Sequence, residues 1–176
     1  MLDGTYSETS EGVVLSFDRR MDWPIETIWA VLTAPERVAD WMGEAEIDPR
    51  VGGRFYLKWH GGKGEMRGII TAYDPPRLFE HTWDEGDGVT SRVCWRLEPD
   101  GDGCRLALTH TFPKIDGGKL LGFAGGWGDF LEVIPRVADG TEDHGSHENY
   151  LRLRRGYAEK FGIKDVTPPE AKSAIK

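Results

Sequence analysis

The sequence predicts an α+β fold: one strand and two short helices, then an antiparallel meander, then a long helix and one further amphipathic helix. Three observations carry this. Apolar residues recur at every second position in the segments between Phe55 and Phe112. Clusters of Gly, Asp and Pro divide that stretch into short segments of strand length. On either side, from Ile25 to Met42 and from Lys119 to Phe161, the apolar spacing is that of a helix.

Residues 1–12 are polar and aperiodic and are expected to form a flexible arm. Val13, Leu15 and Phe17 alternate with polar positions and predict a strand to about Met21. Pro24 suits a first helical position, and Ile25, Ile28, Trp29 and Leu32 form the stripe of the adjoining helix. Thr33-Ala34-Pro35-Glu36 has the spacing of a capping box and predicts a second short helix with Val38, Trp41 and Met42. Phe55, Leu57 and Trp59 then share one strand face, and Met66, Gly68, Ile70 and Ala72 the next. Phe79, His81 and Trp83 form the bulkier parity of a further strand, followed by Val93, Trp95 and Leu97, and by Leu106, Leu108, His110 and Phe112. Leu120, Ala124, Trp127, Leu131 and Ile134 mark a long helix that Pro135 should kink or end. Tyr150, Leu153, Tyr157 and Phe161 mark the last helix, from about His147, with Gly162 as its stop. The division expected is an arm at 1–12, a domain at 13–138, an extra C-terminal helix within 139–165 and a tail at 166–176.

The 176 residues suffice for one domain. Lys and Arg number 22 against 30 Asp and Glu, a net charge of −8, and no basic face appears that could displace phosphate counterions, so nucleic acid is not an expected partner. No run approaches the ~18 apolar residues of a membrane span, and the N-terminus lacks the basic and apolar regions of a signal peptide, so a cytoplasmic chain is expected. Cys94 and Cys104 flank the turn at 99–103 and should point to opposite sheet faces, too far apart to bridge.

Motifs for phosphate, dinucleotide, nucleophilic or zinc chemistry are absent from the sequence. His144 and His147 lie in a run rich in possible metal ligands, but a Gly-Ser loop lacks the rigidity a catalytic metal needs, and a solvated loop is expected, with no metal or cofactor. His60 should face away from the core, and Arg152, Arg154 and Arg155 read as a solvated helix face. His81 and His110 share the parity of inward residues. They read as hydrogen-bonded core histidines, as polar anchors for a mostly apolar ligand, or as an acid–base pair.

Several segments, in this order and spacing, resemble the activator of Hsp90 ATPase homologue-like family of the START-like SRPBCC superfamily. They are Pro24 to Trp29, Thr33 to Glu36 leading to Asp40-Trp41-Met42, Asp48 to Phe55, Gly68-Ile69-Ile70, Tyr73 to Leu78, and Gly126-Trp127, covering roughly 13–138. The resemblance implies a helix-grip fold, a curved antiparallel sheet of about seven strands wrapped around a long C-terminal helix with a cavity between. It implies no universal catalytic residues. Pro135 and the segment after Ala138 depart from the family pattern.

The leading expectation is therefore a module that binds an apolar or amphipathic small molecule in that cavity. The strand residues expected to line it are Trp59, Phe79, His81, Trp83, Trp95, Leu108, His110 and Phe112, with Phe123 and Trp127 from the helix. Two alternatives stand beside it: an interaction protein for an Hsp90-type chaperone or a second copy of the chain, and an enzyme using a cavity histidine on an aromatic or polyketide-like substrate.

Overall fold

The alternating segments form one eight-stranded antiparallel sheet, curved and unclosed, in a computed structural model that describes residues 1–62 and 64–166. In chain order the elements are β1 (Thr5–Thr9), β2 (Gly12–Met21), α1 (Ile25–Thr33), α2 (Pro35–Val38), β3 (Gly43–Ile47), β4 (Arg54–Trp59), β5 (Glu65–Asp74), β6 (Leu78–Asp84), β7 (Thr90–Asp100), β8 (Gly103–Phe112), α3 (Gly117–Ala138) and α4 (His147–Phe161). The spatial order is β1-β2-β8-β7-β6-β5-β4-β3, so the first long strand closes on the last. This is the helix-grip arrangement, with α3 on the inner face. The indole of Trp127 meets Trp83 on β6 at 5.3 Å and Trp95 on β7 at 5.4 Å between ring centres.

The sheet has two more strands than the alternation marked, one at each edge. Thr5–Thr9 pairs with β2, so residues 1–12 are not a loose arm. Polar side chains hid this strand, because an edge strand exposed along its length needs no apolar face. The residues before it are also held. Arg19 grips Asp3 through two hydrogen bonds of 2.6 and 2.7 Å, and the Gly4 amide donates to the Tyr157 hydroxyl at 3.1 Å. At the other edge β3 alternates only small or half-buried residues, Ala45 and Ile47, with exposed Glu44 and Glu46.

Three local expectations are corrected. Thr33 does not cap α2; it is the last residue of α1, and its hydroxyl donates back to the Trp29 carbonyl at 2.7 Å. The β5 alternation breaks at a register shift between Ile70 and Ala72. A bulge of this kind exchanges the faces of the residues beyond it, so Tyr73, paired with Phe79 and in ring contact with it at 6.1 Å, lies on the inner face in place of Ala72. Pro135 does not end α3, which runs 22 residues to Ala138. The proline lacks only the N–H that would meet the Leu131 carbonyl, and the helical bonding continues past it: the Asp139 amide donates to the Pro135 carbonyl at 3.1 Å, and Arg37 donates to that of Val137. At its start, Asp116 accepts from the Lys119 amide at 2.9 Å.

The last helix packs on α3 with Leu153 and Tyr157 buried. It also buries Arg154, contrary to the solvated face expected for that arginine run. The guanidinium meets Asp165 at 2.9 Å through two nitrogens, and the Tyr150 hydroxyl at 3.1 Å. Both cysteines are buried and free. The expected tail begins at exposed Val166 and otherwise lies outside the described residues. Among the described residues no helix is long and apolar enough to cross a membrane.

Candidate functional site

The inner face of β6, β7 and β8 brings most of the expected lining residues together. Phe79, His81, Trp83, Trp95, Leu108, His110, Phe112 and Trp127 are all buried, while Trp59 and Phe123 are half-buried at the margin. The pleat accounts for this, since on β6 every second residue is buried and its neighbours are not. The rings fill much of the space between sheet and helix. His110 stacks on Phe112 at 3.9 Å and meets Phe123 edge-on at 4.7 Å, and Trp59 lies parallel to Phe130 at 6.3 Å. A recess of about 30 Å³ reaches this cluster between the 85–89 turn and the first turns of α3. Trp83, Ser91, Phe112, Lys119 and Phe123 are among its walls.

His110 has partners at both nitrogens. The Trp127 indole N–H donates to Nδ1 at 3.1 Å, and Nε2 lies 2.7 Å from the Ser91 hydroxyl. An indole nitrogen can only donate, so Nδ1 is the bare nitrogen and the ring proton sits on Nε2, facing Ser91. The Ser91 hydroxyl in turn lies 3.4 Å from the Trp83 carbonyl oxygen. Ser91 and His110 thus stand at the spacing of a nucleophile and its base while carrying the wrong tautomer for it: the imidazole offers the serine a proton instead of a lone pair. Burial, reinforced by nearby His81, holds the His110 imidazolium well below the usual histidine range.

His81 donates from Nδ1 to the Thr82 carbonyl at 3.0 Å and lies edge-on to Phe55 at 4.6 Å. Burial lowers its pKa to about 4 against a small opposing effect of that hydrogen bond. Both histidines are therefore neutral near pH 7, and the pair is a wall of polar-edged rings without a charge.

Ser91 is a site residue that the sequence pattern did not single out. Its parity with Val93, Trp95 and Leu97 is the signal for it; it pairs with Trp83 in the ladder, and its hydroxyl lies 2.7 Å from His110 Nε2. The Trp83 indole N–H is the other polar feature that the sequence did not disclose: it is buried, and it meets no acceptor at hydrogen-bond geometry among the described residues.

The remaining histidines lie elsewhere. His60 is exposed, with Nε2 2.7 Å from the Ala39 carbonyl, and its ring packs 3.5 Å from that of His144, which meets Glu142 at 2.6 Å. The loop holding His144 is pinned as well as solvated: buried Asp129 accepts from the Ser146 amide at 3.1 Å and from Asn149 at 2.6 Å. Burial raises that carboxyl above the usual range. Among the described residues no three His, Cys, Asp or Glu side chains are grouped to hold a metal ion.

Comparison with known proteins agrees with this architecture. The family model for activator of Hsp90 ATPase homolog 1-like protein matches residues 22–139. CalU16 from Micromonospora echinospora superposes with a TM-score of 0.71 at 25% identity, over 90% of this chain and 93% of that one. EF2215 from Enterococcus faecalis, a conserved protein of unknown function, gives 0.72 at 18% identity, with 92% of each chain covered. DynU16, a protein of the dynemicin biosynthetic locus, gives 0.67 at 21% identity over 73% of this chain and 48% of that one. The last two likenesses are of fold alone. No curated protein matches the sequence.

Proposed function

Because the chain belongs to the activator of Hsp90 ATPase homolog 1-like family, a family of small-molecule-binding modules, we propose that it binds an apolar or amphipathic small molecule at the aromatic end of the inner sheet face, under the first turns of α3. The observation that supports this is the convergence of Trp83, Phe112 and Phe123 on a recess open to the surface, with His110 and Trp127 packed behind them. Elsewhere the inner face is closed by core packing, including Phe55, Leu57, Ile70, Phe79 and Leu97 from the sheet and Leu131 and Ile134 from α3. Aromatic walls with few polar groups favour a ligand whose body is apolar. Binding is favoured over catalysis because the Ser91–His110 pair carries the tautomer that cannot activate the serine.

Phe123, half-buried at the rim, is the side chain such a ligand displaces or stacks against. Titration with fluorene, a rigid three-ring hydrocarbon, followed by tryptophan fluorescence, tests the reading. Saturable quenching is expected, and Phe123→Asp should weaken it about ten-fold or more by placing a charge against the apolar body. Absence of saturable quenching, or an affinity that Phe123→Asp leaves unchanged, contradicts it.

A further inference from the structure

The Trp83 side chain is 97% removed from solvent (3% exposed), yet its N–H has no hydrogen-bond partner among the described residues. Buried donors are nearly always satisfied, by protein, water or ligand, so an orphan of this kind marks a place where something binds. Trp83 is one of the residues lining the 30 Å³ recess, which has room for a single water or one ligand oxygen. Glu85 lines the same recess. Loss of water around its carboxyl raises its pKa, with the nearby Trp83 N–H acting in the opposite direction.

The recess shares Glu85, Asp87, Lys119 and Phe123 with a larger surface groove of about 410 Å³ that extends over Gly118 and Gly122 to Tyr150 and Arg154. The two glycines give this groove a floor without side chains. Its cations are already engaged: Lys119 holds Asp87 at 2.9 Å, and Arg154 holds Asp165. Lys114 stands exposed at the rim of the recess. An anionic ligand oxygen would also lie beside Glu85 and Asp87.

We infer that the Trp83 indole N–H is the ligand's hydrogen-bond donor, and that the ligand is a flat apolar molecule bearing a neutral carbonyl oxygen. The oxygen enters the recess while the ring body lies in the groove against Phe123. This rests on the small-molecule reading above and adds to it the polar group of the ligand and the residue that selects it.

Fluorene and 9-fluorenone share a ring frame and differ by one carbonyl oxygen, so their affinities for the same protein isolate that contact. Fluorenone should bind about ten-fold more tightly, the worth of one buried hydrogen bond at 1.4 kcal/mol per decade. Trp83→Phe should bring the ratio of fluorenone to fluorene affinity to about one, whatever its effect on the two affinities together. In the unaltered protein, the carbonyl stretch of bound fluorenone should fall to lower frequency than in an alkane solvent, a measurement that stands even if the variant fails to fold. If neither compound binds, the small-molecule reading fails and this inference with it. Equal affinities, an unshifted carbonyl stretch, or a preference that survives Trp83→Phe would overturn the Trp83 assignment alone.

Discussion

At the scale of single residues, the Trp127–His110–Ser91 chain of hydrogen bonds gives the inward histidine a partner at each ring nitrogen. Sequence parity could place His110 inside but not choose among a core, anchoring or catalytic role, because that choice depends on which nitrogen carries the proton. The donor that fixes it, Trp127, is 17 residues away on another element. Trp127→Ala should cost about 3–5 kcal/mol in a denaturant titration, since a buried indole leaves a cavity and strands Nδ1 of His110; a loss within ~0.5 kcal/mol would contradict its burial. The histidines also fix a pH dependence. His81 has a folded pKa of about 4 against an ordinary 6.5, so below pH 6.5 the unfolded chain takes up a proton that the folded one refuses. Stability should fall as pH drops from about 6.5 to 4, by about 3 kcal/mol from His81 alone, with His110 acting in the same direction. The raised carboxyls of Glu85 and Asp129 act in the opposite sense at the acid end. Replacing His81 with Phe should flatten the profile, which urea midpoints at pH 7 and pH 4.5 would show; an equally steep fall in that variant would place the titrating group elsewhere.

At the scale of elements, α4 explains Gly122, Gly125 and Gly128 of α3. Glycine weakens a helix interior by about 1 kcal/mol relative to Ala, yet α3 carries six from Gly117 to Gly128. A Cβ at Gly125 would lie 3.1 Å from both the Arg154 Cβ and the Tyr150 carbonyl oxygen, and one at Gly128 would lie 3.2 Å from Leu153. Side chains there would push the helices apart. At Gly126 nothing lies within 4 Å. Gly125→Val should therefore destabilise by about 1–3 kcal/mol through overpacking, whereas Gly126→Ala should stabilise by about 1 kcal/mol. Thermal unfolding of the two variants checks the contrast, and a shift of the same sign in both would contradict it. The surface that Gly125 and Gly128 accommodate is α4, not the sheet. The extent of α4 was fully legible in the sequence, because Ser146 caps it, accepting from the Asn149 amide at 3.0 Å, and Gly162 ends it at a φ of 65°.

At the scale of the whole molecule, α4 ties the two ends of the described chain together. Tyr157 accepts from the Gly4 amide, and Lys160 donates to the carbonyls of Leu2 and Gly4, each at 2.8 Å. Truncation after Ala138 should therefore free the segment before β1, expose the glycine face of α3 and lower the melting temperature or change the oligomeric state; an unchanged melting temperature and mass would show α4 to be an appendage. The central strands and both long helices were legible because each has one face in the core, so burial prints its period on the sequence. The edge strands β1 and β3 were not, because a strand held mainly by backbone hydrogen bonds prints little. The inward facing of most of the named aromatic residues was legible in the sequence, whereas Ser91, the Trp127 donor and the Trp83 N–H are defined only by cross-strand and helix–sheet geometry. The seven tryptophans report on whether a small molecule binds at this aromatic end. In a spectrum of the protein carrying ¹⁵N-labelled tryptophan, saturating fluorene should move the indole N–H signals of Trp83 and Trp127 and leave those of Trp23, Trp29 and Trp41 in place. Shifts confined to the latter three, or no shift at all, would contradict it.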